Sequence, residues 1–327
     1  MGRRALVTGA TGFVGSHLVE RLHEEGWEIR ALVRRTSDTG TLDRIGAERV
    51  EGGLLDPASL AEAVRGVDVV FHLAAVTFAR SEAGFRRTNV DGSRLLAAAV
   101  AGAATPPRRI IHLSSYAACG PAPEGRPRRS DDPPMPLTAY GRSKLDGEEA
   151  LERGMPEGTG VITLRAPAVF GPGDRALLPY FRMVRHGIAP MPKGGGERLH
   201  LAYAPDLAGA LSRAAEGPEG TYAVSHPRVH RWPEVVEVMA DALGRRRYLP
   251  VPLPAAALRV AARLTEGAAA AMGMTATFSR EKAEEMLAEG WVCELAGGEW
   301  LLPSSDTTPL ERAMRQTVEW YRCQGWL

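Results

Sequence analysis

Cysteine is scarce in this chain: Cys119, Cys293 and Cys323 are the three in 327 residues, odd in number and far apart. No CxxC pair occurs, which argues against a disulfide framework and a zinc knuckle and makes a reducing cytoplasm the simplest compartment. Net charge is equally slight. Forty Lys plus Arg face 39 Asp plus Glu, a formal +1, so the electrostatic footprint of a nucleic-acid binder is missing. Long apolar runs are missing too. The most apolar late stretch, 251–273, is broken by Arg259, Arg263 and Glu266, short of the ~18 uninterrupted residues that a membrane span needs. The N-terminus runs straight into a short apolar segment and then glycines, without the h-region of an export signal. Internal repeats are absent. What remains is ordinary globular composition, 44% hydrophobic and 24% charged, long enough for about two domains at ~150 residues each.

The first half alternates between two periods. Ala5-Leu6-Val7-Thr8 is a short apolar run, followed by glycines and a helical pattern through Phe13, Val14, Leu18 and Leu22 that stops at Gly26. Strands are expected over 29–33, near 49–51, over 67–73, 109–113 and 161–164, with a helix starting at Pro57. Runs apolar on both faces with helices between them predict a doubly wound α/β unit around a parallel sheet. Prolines and glycines thicken after this point, and short helices follow Pro233, Ser279 and Pro309. The predicted organisation is a dinucleotide-binding unit over 1–165, completed by segments near 201–225, and a smaller mixed lobe over 166–327 that takes the substrate. The clusters 126–129 and 245–247 read as solvated loop charge.

Thr8-Gly9-Ala10-Thr11-Gly12-Phe13-Val14-Gly15 lies between the first strand and the first helix. Glycines there allow a tight turn, close approach of backbone to a pyrophosphate, and close packing of helix on sheet, while the helix start offers N–H groups to the phosphate. An NAD site usually places a carboxylate at the end of the second strand for the ribose 2′-hydroxyl. Here that strand ends in Arg34 and Arg35. Guanidinium groups suit a 2′-phosphate, so NADP is the expected cofactor and NAD the possible one. The plainer alternative is two surface arginines beside an NAD-tolerant site.

Tyr140 and Lys144 follow a proline-rich loop (Pro133, Pro134, Pro136) and, on a helix starting near Thr138, share one face. A phenol with an ordinary pKa near ~10 needs help to shuttle protons at neutral pH, and a neighbouring ammonium lowers it. A shift of ~2–3 units corresponds to about 3–4 kcal/mol. Ser114-Ser115 closes the run Ile110-Ile111-His112-Leu113, at the strand end where such folds bind ligands, so the Ser115 hydroxyl is placed to hold a substrate oxygen beside the phenol. Its alternative role is a helix or turn cap. His72, His112 and His200 stand singly, without metal-ligand spacing, and read as hydrogen-bonded structure; no metal is expected.

Taken in order, Thr8 to Gly15, His72-Leu73-Ala74-Ala75, Asn89-Val90-Asp91-Gly92, Ser114-Ser115, Tyr140 to Lys144 and Arg165 to Asp174 resemble the extended short-chain dehydrogenase/reductases of the NAD-dependent epimerase/dehydratase superfamily, over nearly the whole chain. The resemblance implies Tyr140 as acid/base, Lys144 as the group that lowers its pKa and binds the nicotinamide ribose, and Ser115 as holder of the reacting oxygen. It implies cofactor contacts from Gly9, Thr11, Gly12, Phe13, Val14, Gly15, Arg34, Arg35, Leu54, Leu73, Ala74, Ala75, Pro167 and Val169, and substrate contacts from Thr77, Ser115, Tyr116 and Ala168. The familiar glycine-aspartate-leucine beside the adenine has Gly53 at its acidic position, which loses that contact and leaves Leu54 to pack.

Two departures bear on the substrate. Nucleotide-sugar members usually carry an asparagine where this chain has Ala168, and an arginine-aspartate pair where it has Leu199 and His200. The pattern is closer to the branch of reductases and 3β-hydroxysteroid dehydrogenases, and the expected reaction is hydride transfer between nicotinamide and a secondary alcohol or ketone of a small apolar substrate. The alternatives are a nucleotide-sugar epimerase or dehydratase that retains its cofactor, and a non-catalytic NADP-sensing protein, against which the intact Tyr140 and Lys144 argue. The Ala-rich stretch over 254–272 is either a wall of an apolar pocket or an ordinary packing helix. A homodimer through the helix bearing Leu95, Leu96, Ala97 and Ala98 and the helix bearing Tyr140 is the family expectation.

Overall fold

A computed structural model of the chain describes residues 3–193, 198–272, 276, 278–288 and 290–327. Six strands follow in chain order: β1 (Arg4–Thr8), β2 (Glu28–Val33), β3 (Glu48–Glu51), β4 (Val69–His72), β5 (Arg109–Ser115) and β6 (Gly160–Ala166). With the Gly220–Ala223 strand they form one seven-stranded sheet in the order Gly220–Ala223, β6, β5, β4, β1, β2, β3. Every pairing in it is parallel. The expected doubly wound sheet is present, and the order reverses direction at β1, where the chain crosses to the other side.

Alternation along β1 shows why the strands read as continuous apolar runs. Ala5 and Val7 pack with Phe71, Ile111 and Ile162 against Leu18 and Leu22 of the Phe13–Glu24 helix and Leu207 and Leu211 of the Ala204–Ala214 helix. Leu6 points the other way, with Val70 and Ile110, onto Leu60, Leu96 and Leu151 from the helices Pro57–Val64, Gly92–Ala101 and Ala139–Arg153. Both faces of the central strands are therefore buried, while β3 at one edge is exposed except at Val50. Leu96 and Ala97, expected at a subunit contact, are enclosed within their own chain: a side-chain carbon at Gly154 would lie 2.7 Å from Ala97 Cβ.

The second lobe is built on three two-stranded pairs around Phe181, Val236, Met239, Met314 and Tyr321. Its Trp232–Ala242, Arg280–Leu287 and Leu310–Cys323 helices begin where their prolines and Ser279 predicted. One pair was not anticipated in the proline-rich region. Ile188–Lys193 and Leu249–Pro254 run parallel in register. Pro190, Pro192, Pro250, Pro252 and Pro254 recur at every second position, so the side without an N–H always faces away from the partner strand.

Candidate active site

The glycines after β1 make a cradle that side chains would fill. Gly9 has φ +75°, and a Cβ there would sit 2.7 Å from Ala74 N; a Cβ on Gly15 would collide with the Gly9 carbonyl oxygen. Gly12 N–H donates to that carbonyl (2.9 Å), and no side chain caps the helix that starts at Phe13. Its leading N–H groups are left for an anion. Thr11 and Gly12 are exposed, and Phe13 and Val14 half-buried. His17 Nε2 lies 2.8 Å from the Pro172 carbonyl oxygen, bringing the 172–173 turn over the cradle.

At the end of β2, Arg34 and Arg35 are exposed, and among the described residues neither has a carboxylate within ion-pair distance. Gly52 N–H donates to the Val33 carbonyl (2.8 Å), which sets Gly53 beside them. The space where a side chain of Gly53 would stand is open, while Leu54 is buried. Leu73, Ala74 and Ala75 leave β4 half-buried, and Ala74 N–H reaches Thr8 Oγ1 at 3.3 Å. The cradle, the uncapped helix start and the two unpaired guanidinium groups together fit a dinucleotide phosphate chain.

Asn89 went without a role in the sequence reading. It occupies a π-helical turn, Arg86–Asp91, wedged between the helices Glu82–Phe85 and Gly92–Ala101. Its carboxamide clamps both backbone groups of Val76 (2.8 and 3.1 Å) and donates to Ser143 Oγ at 2.9 Å. One side chain thus ties the wall after β4 to the helix of Tyr140. Its sequence signal was the Asn89-Val90-Asp91-Gly92 motif, which marks the position without saying what the side chain holds.

Thr138 caps the Ala139–Arg153 helix by accepting from Gly141 N–H (3.0 Å), and Tyr140 and Lys144 lie one turn apart as predicted. Their electrostatics differ from the expectation. Lys144 is 4% exposed; its ammonium donates to the Leu113 carbonyl (2.8 Å) and lies 3.4 Å from His112 Nε2. Burial pushes it down to about 8, with Glu148 opposing. The Tyr140 phenol is pushed up to about 12 by burial, the Ser115 hydroxyl acting against this and Glu285 with it. The ammonium is tied to the end of β5, so without cofactor it does not make the phenol acidic. Ser115 Oγ accepts from Ala117 N–H (3.1 Å), capping the Tyr116–Cys119 helix. That uses a lone pair and leaves the hydroxyl hydrogen to the Tyr140 phenol, whose charged form it favours.

Beneath these groups lies a second polar layer. Ser114 Oγ donates to Glu148, which also pairs with Arg165 (2.6 Å), all at the end of β5 and β6. His72 and His112 stack 5.2 Å apart, and His72 contacts Thr8 Oγ1 (2.8 Å) and Ser93 Oγ (3.1 Å). Burial drives His72 down to about 3, with Lys144 adding to this, so both rings are neutral structure. Among the described residues no group of His, Cys, Asp or Glu could hold a metal.

On the substrate side, Thr77 and Ala168 are exposed, Val169 is half-buried and Pro167 is buried. Tyr116 is placed differently from the expectation. It is 2% exposed, its hydroxyl 3.2 Å from His200 Nδ1, in a buried cluster with Cys119 and Cys293 that leaves it no free surface for a ligand. A further contact was not anticipated. Glu281 accepts from Ala139 N–H (2.7 Å) and Glu285 from the Thr138 hydroxyl (3.2 Å), so the Arg280–Leu287 helix sits on the start of the Tyr140 helix.

Comparisons with known proteins agree with this geometry. The chain is 31% identical over 329 aligned residues to a ceramide reductase of Caulobacter vibrioides, covering 98% of this chain and 95% of that protein. It is 36% identical over 175 residues to sterol demethylase protein B of Methylococcus capsulatus, covering 52% of each. Among solved structures, gox2253 superposes with a TM-score of 0.79 at 25% identity over the full length of both chains. Human epimerase family protein SDR39U1, solved with NADPH, gives 0.75 at 21% identity, covering 97% of this chain and 99% of that one. The family model described as NAD dependent epimerase/dehydratase matches residues 5–225. The protein is therefore an enzyme of the NAD-dependent epimerase/dehydratase family.

Proposed function

We propose that the protein is an NADP-preferring oxidoreductase that interconverts a secondary alcohol and a ketone on an apolar, lipid-like substrate. The observation that carries this reading is the convergence of Ser115, Tyr140 and Lys144 at the end of β5, beside the glycine cradle. The dinucleotide, when bound, supplies the hydride. Every other part falls to the chain. Ser115 donates its hydroxyl hydrogen to the reacting oxygen, Tyr140 Oη gives or takes the proton of that oxygen, and Lys144 holds ribose hydroxyls. Arg34 and Arg35 bind the 2′-phosphate. A full-length relative named for ceramide and a half-length one named for sterol support an apolar substrate. So does the lack, at Ala168, Leu199 and His200, of side chains suited to a nucleotide diphosphate. The exposed Ala98 leaves room for a homodimer through this helix.

Tyr140→Phe tests the reading. NADPH affinity should stay within about twofold while reduction of long-chain ketones falls at least ~100-fold. Full turnover in that variant refutes the assignment. Stabilisation by UDP- or GDP-sugars beyond that given by UDP or GDP would favour the epimerase alternative.

A further inference from the structure

The Ala255–Ala271 helix is apolar on two sides. Leu258, Ala262 and Ala269 form its buried stripe. Ala257, Val260, Ala261, Leu264 and Ala268 recur at helical spacing and are all exposed, Val260 at 52% and Leu264 at 69%. At about 100° per residue they make one outward stripe without a charge. Ile188 and Leu249 stand side by side in register at the far end of the strand that leads into the helix, 46% and 64% exposed.

Basic residues accompany both apolar patches. Arg263 lies on the helix itself; Arg185, Arg245, Arg246 and Arg247 flank the Ile188–Leu249 pair, and Arg245 Nε donates to the Arg185 carbonyl. None of the five has a carboxylate within ion-pair distance among the described residues, whereas Arg259 and Arg280 are matched to Glu284 and Glu266. The nearby acids are Glu237 and Asp241, beside Tyr248.

We infer that this apolar stripe and the accompanying arginines dock the enzyme on an anionic lipid bilayer. An amphipathic surface that combines small and aliphatic residues with guanidinium groups matches a headgroup boundary. The unpaired guanidinium groups favour an anionic partner over a second copy, which would bring the same excess of positive charge. The surface is one helix away from the chemistry. The Arg259–Glu284 and Arg280–Glu266 pairs tie this helix to Arg280–Leu287, whose Glu281 and Glu285 hold the start of the Tyr140 helix. The purpose of docking, access to a lipid substrate, rests on the proposed function; docking itself does not.

Flotation of the full chain with phosphatidylcholine vesicles, with and without phosphatidylglycerol, tests this. Wild type should bind the anionic vesicles at least ~10-fold more tightly, and binding should fall as salt rises. Leu264→Glu and Val260→Glu should abolish binding, and the double variant R246E/R247E should weaken it about tenfold or more. Circular dichroism and turnover of a short, water-soluble ketone should be unchanged, because the altered side chains are exposed. Absence of wild-type binding at low salt, or undiminished binding by Leu264→Glu, overturns the inference. So does a wild-type dimer that Leu264→Glu converts to monomer without any vesicle binding. Vesicle binding in a protein that reduces no ketone would leave docking standing and remove the proposed activity.

Discussion

Lys144 should make the stability of the cofactor-free protein depend on pH in a direction opposite to that of an ordinary ion pair. The folded chain holds its ammonium only to about pH 8, because burial outweighs what the Leu113 carbonyl and Glu148 return. The unfolded chain holds it to about 10.4. Between those values the unfolded state binds more protons, so stability rises with pH, by at most ~1.4 kcal/mol per unit and about 3 kcal/mol in all. Other groups titrate over the same range, which the variant Lys144→Met cancels: the same backbone, no ammonium. Urea unfolding of both proteins from neutral pH to the alkaline limit should show wild type gaining about 3 kcal/mol on the variant. At neutral pH the two should lie close together. The variant escapes the buried charge but strips a donor from the Leu113 carbonyl and leaves His112 Nε2 alone, which costs about 1–3 kcal/mol. A difference that stays flat or falls with pH refutes the picture of a desolvated ammonium.

Arg34→Ala should weaken NADPH by about 10-fold or more and leave NADH unchanged; equal NADPH affinity in both proteins, measured by fluorescence titration, defeats the NADP preference. Glu148→Ala strands the Arg165 guanidinium and the Ser114 hydroxyl in a buried site and should cost about 3–5 kcal/mol in urea unfolding. The double variant Glu148→Leu/Arg165→Met should be more stable than either single change, because no lone charge remains buried.

The parts of this molecule that were legible in its sequence are those fixed by short-range periodicity. Glycines after an apolar run gave the cradle, and i, i+4 spacing after a proline loop put Tyr140 and Lys144 on one face. What such spacing does not carry is the direction of a side chain. Lys144 points at β5 instead of at the phenol one turn away, and Tyr116, next to Ser115, points inward to His200. The paired proline strands were illegible for another reason: their prolines argue against a ladder one by one, and only the period of two reveals which side is free. The glutamates of the Arg280–Leu287 helix reach the site from more than a hundred residues away, and nothing local marks them.

The floor of the site shows the same limit from the other side. Thr8, His72, His112 and Thr163 each read as a lone polar residue near the end of an apolar strand, and each is buried. Parallel register sets them in one row across β1, β4, β5 and β6. A buried polar row weakens a sheet unless its members find partners; here bonds run from Thr8 to His72, from His72 to Ser93 and from His112 to Lys144, while the Thr163 hydroxyl has none among the described residues. Through the His72–His112 stack the row links the glycine loop after β1 to Lys144. Had the four strands been shifted by one residue, the same polar groups would face the opposite helices and bind nothing. The register of the sheet, more than any one motif, is what assembles this site.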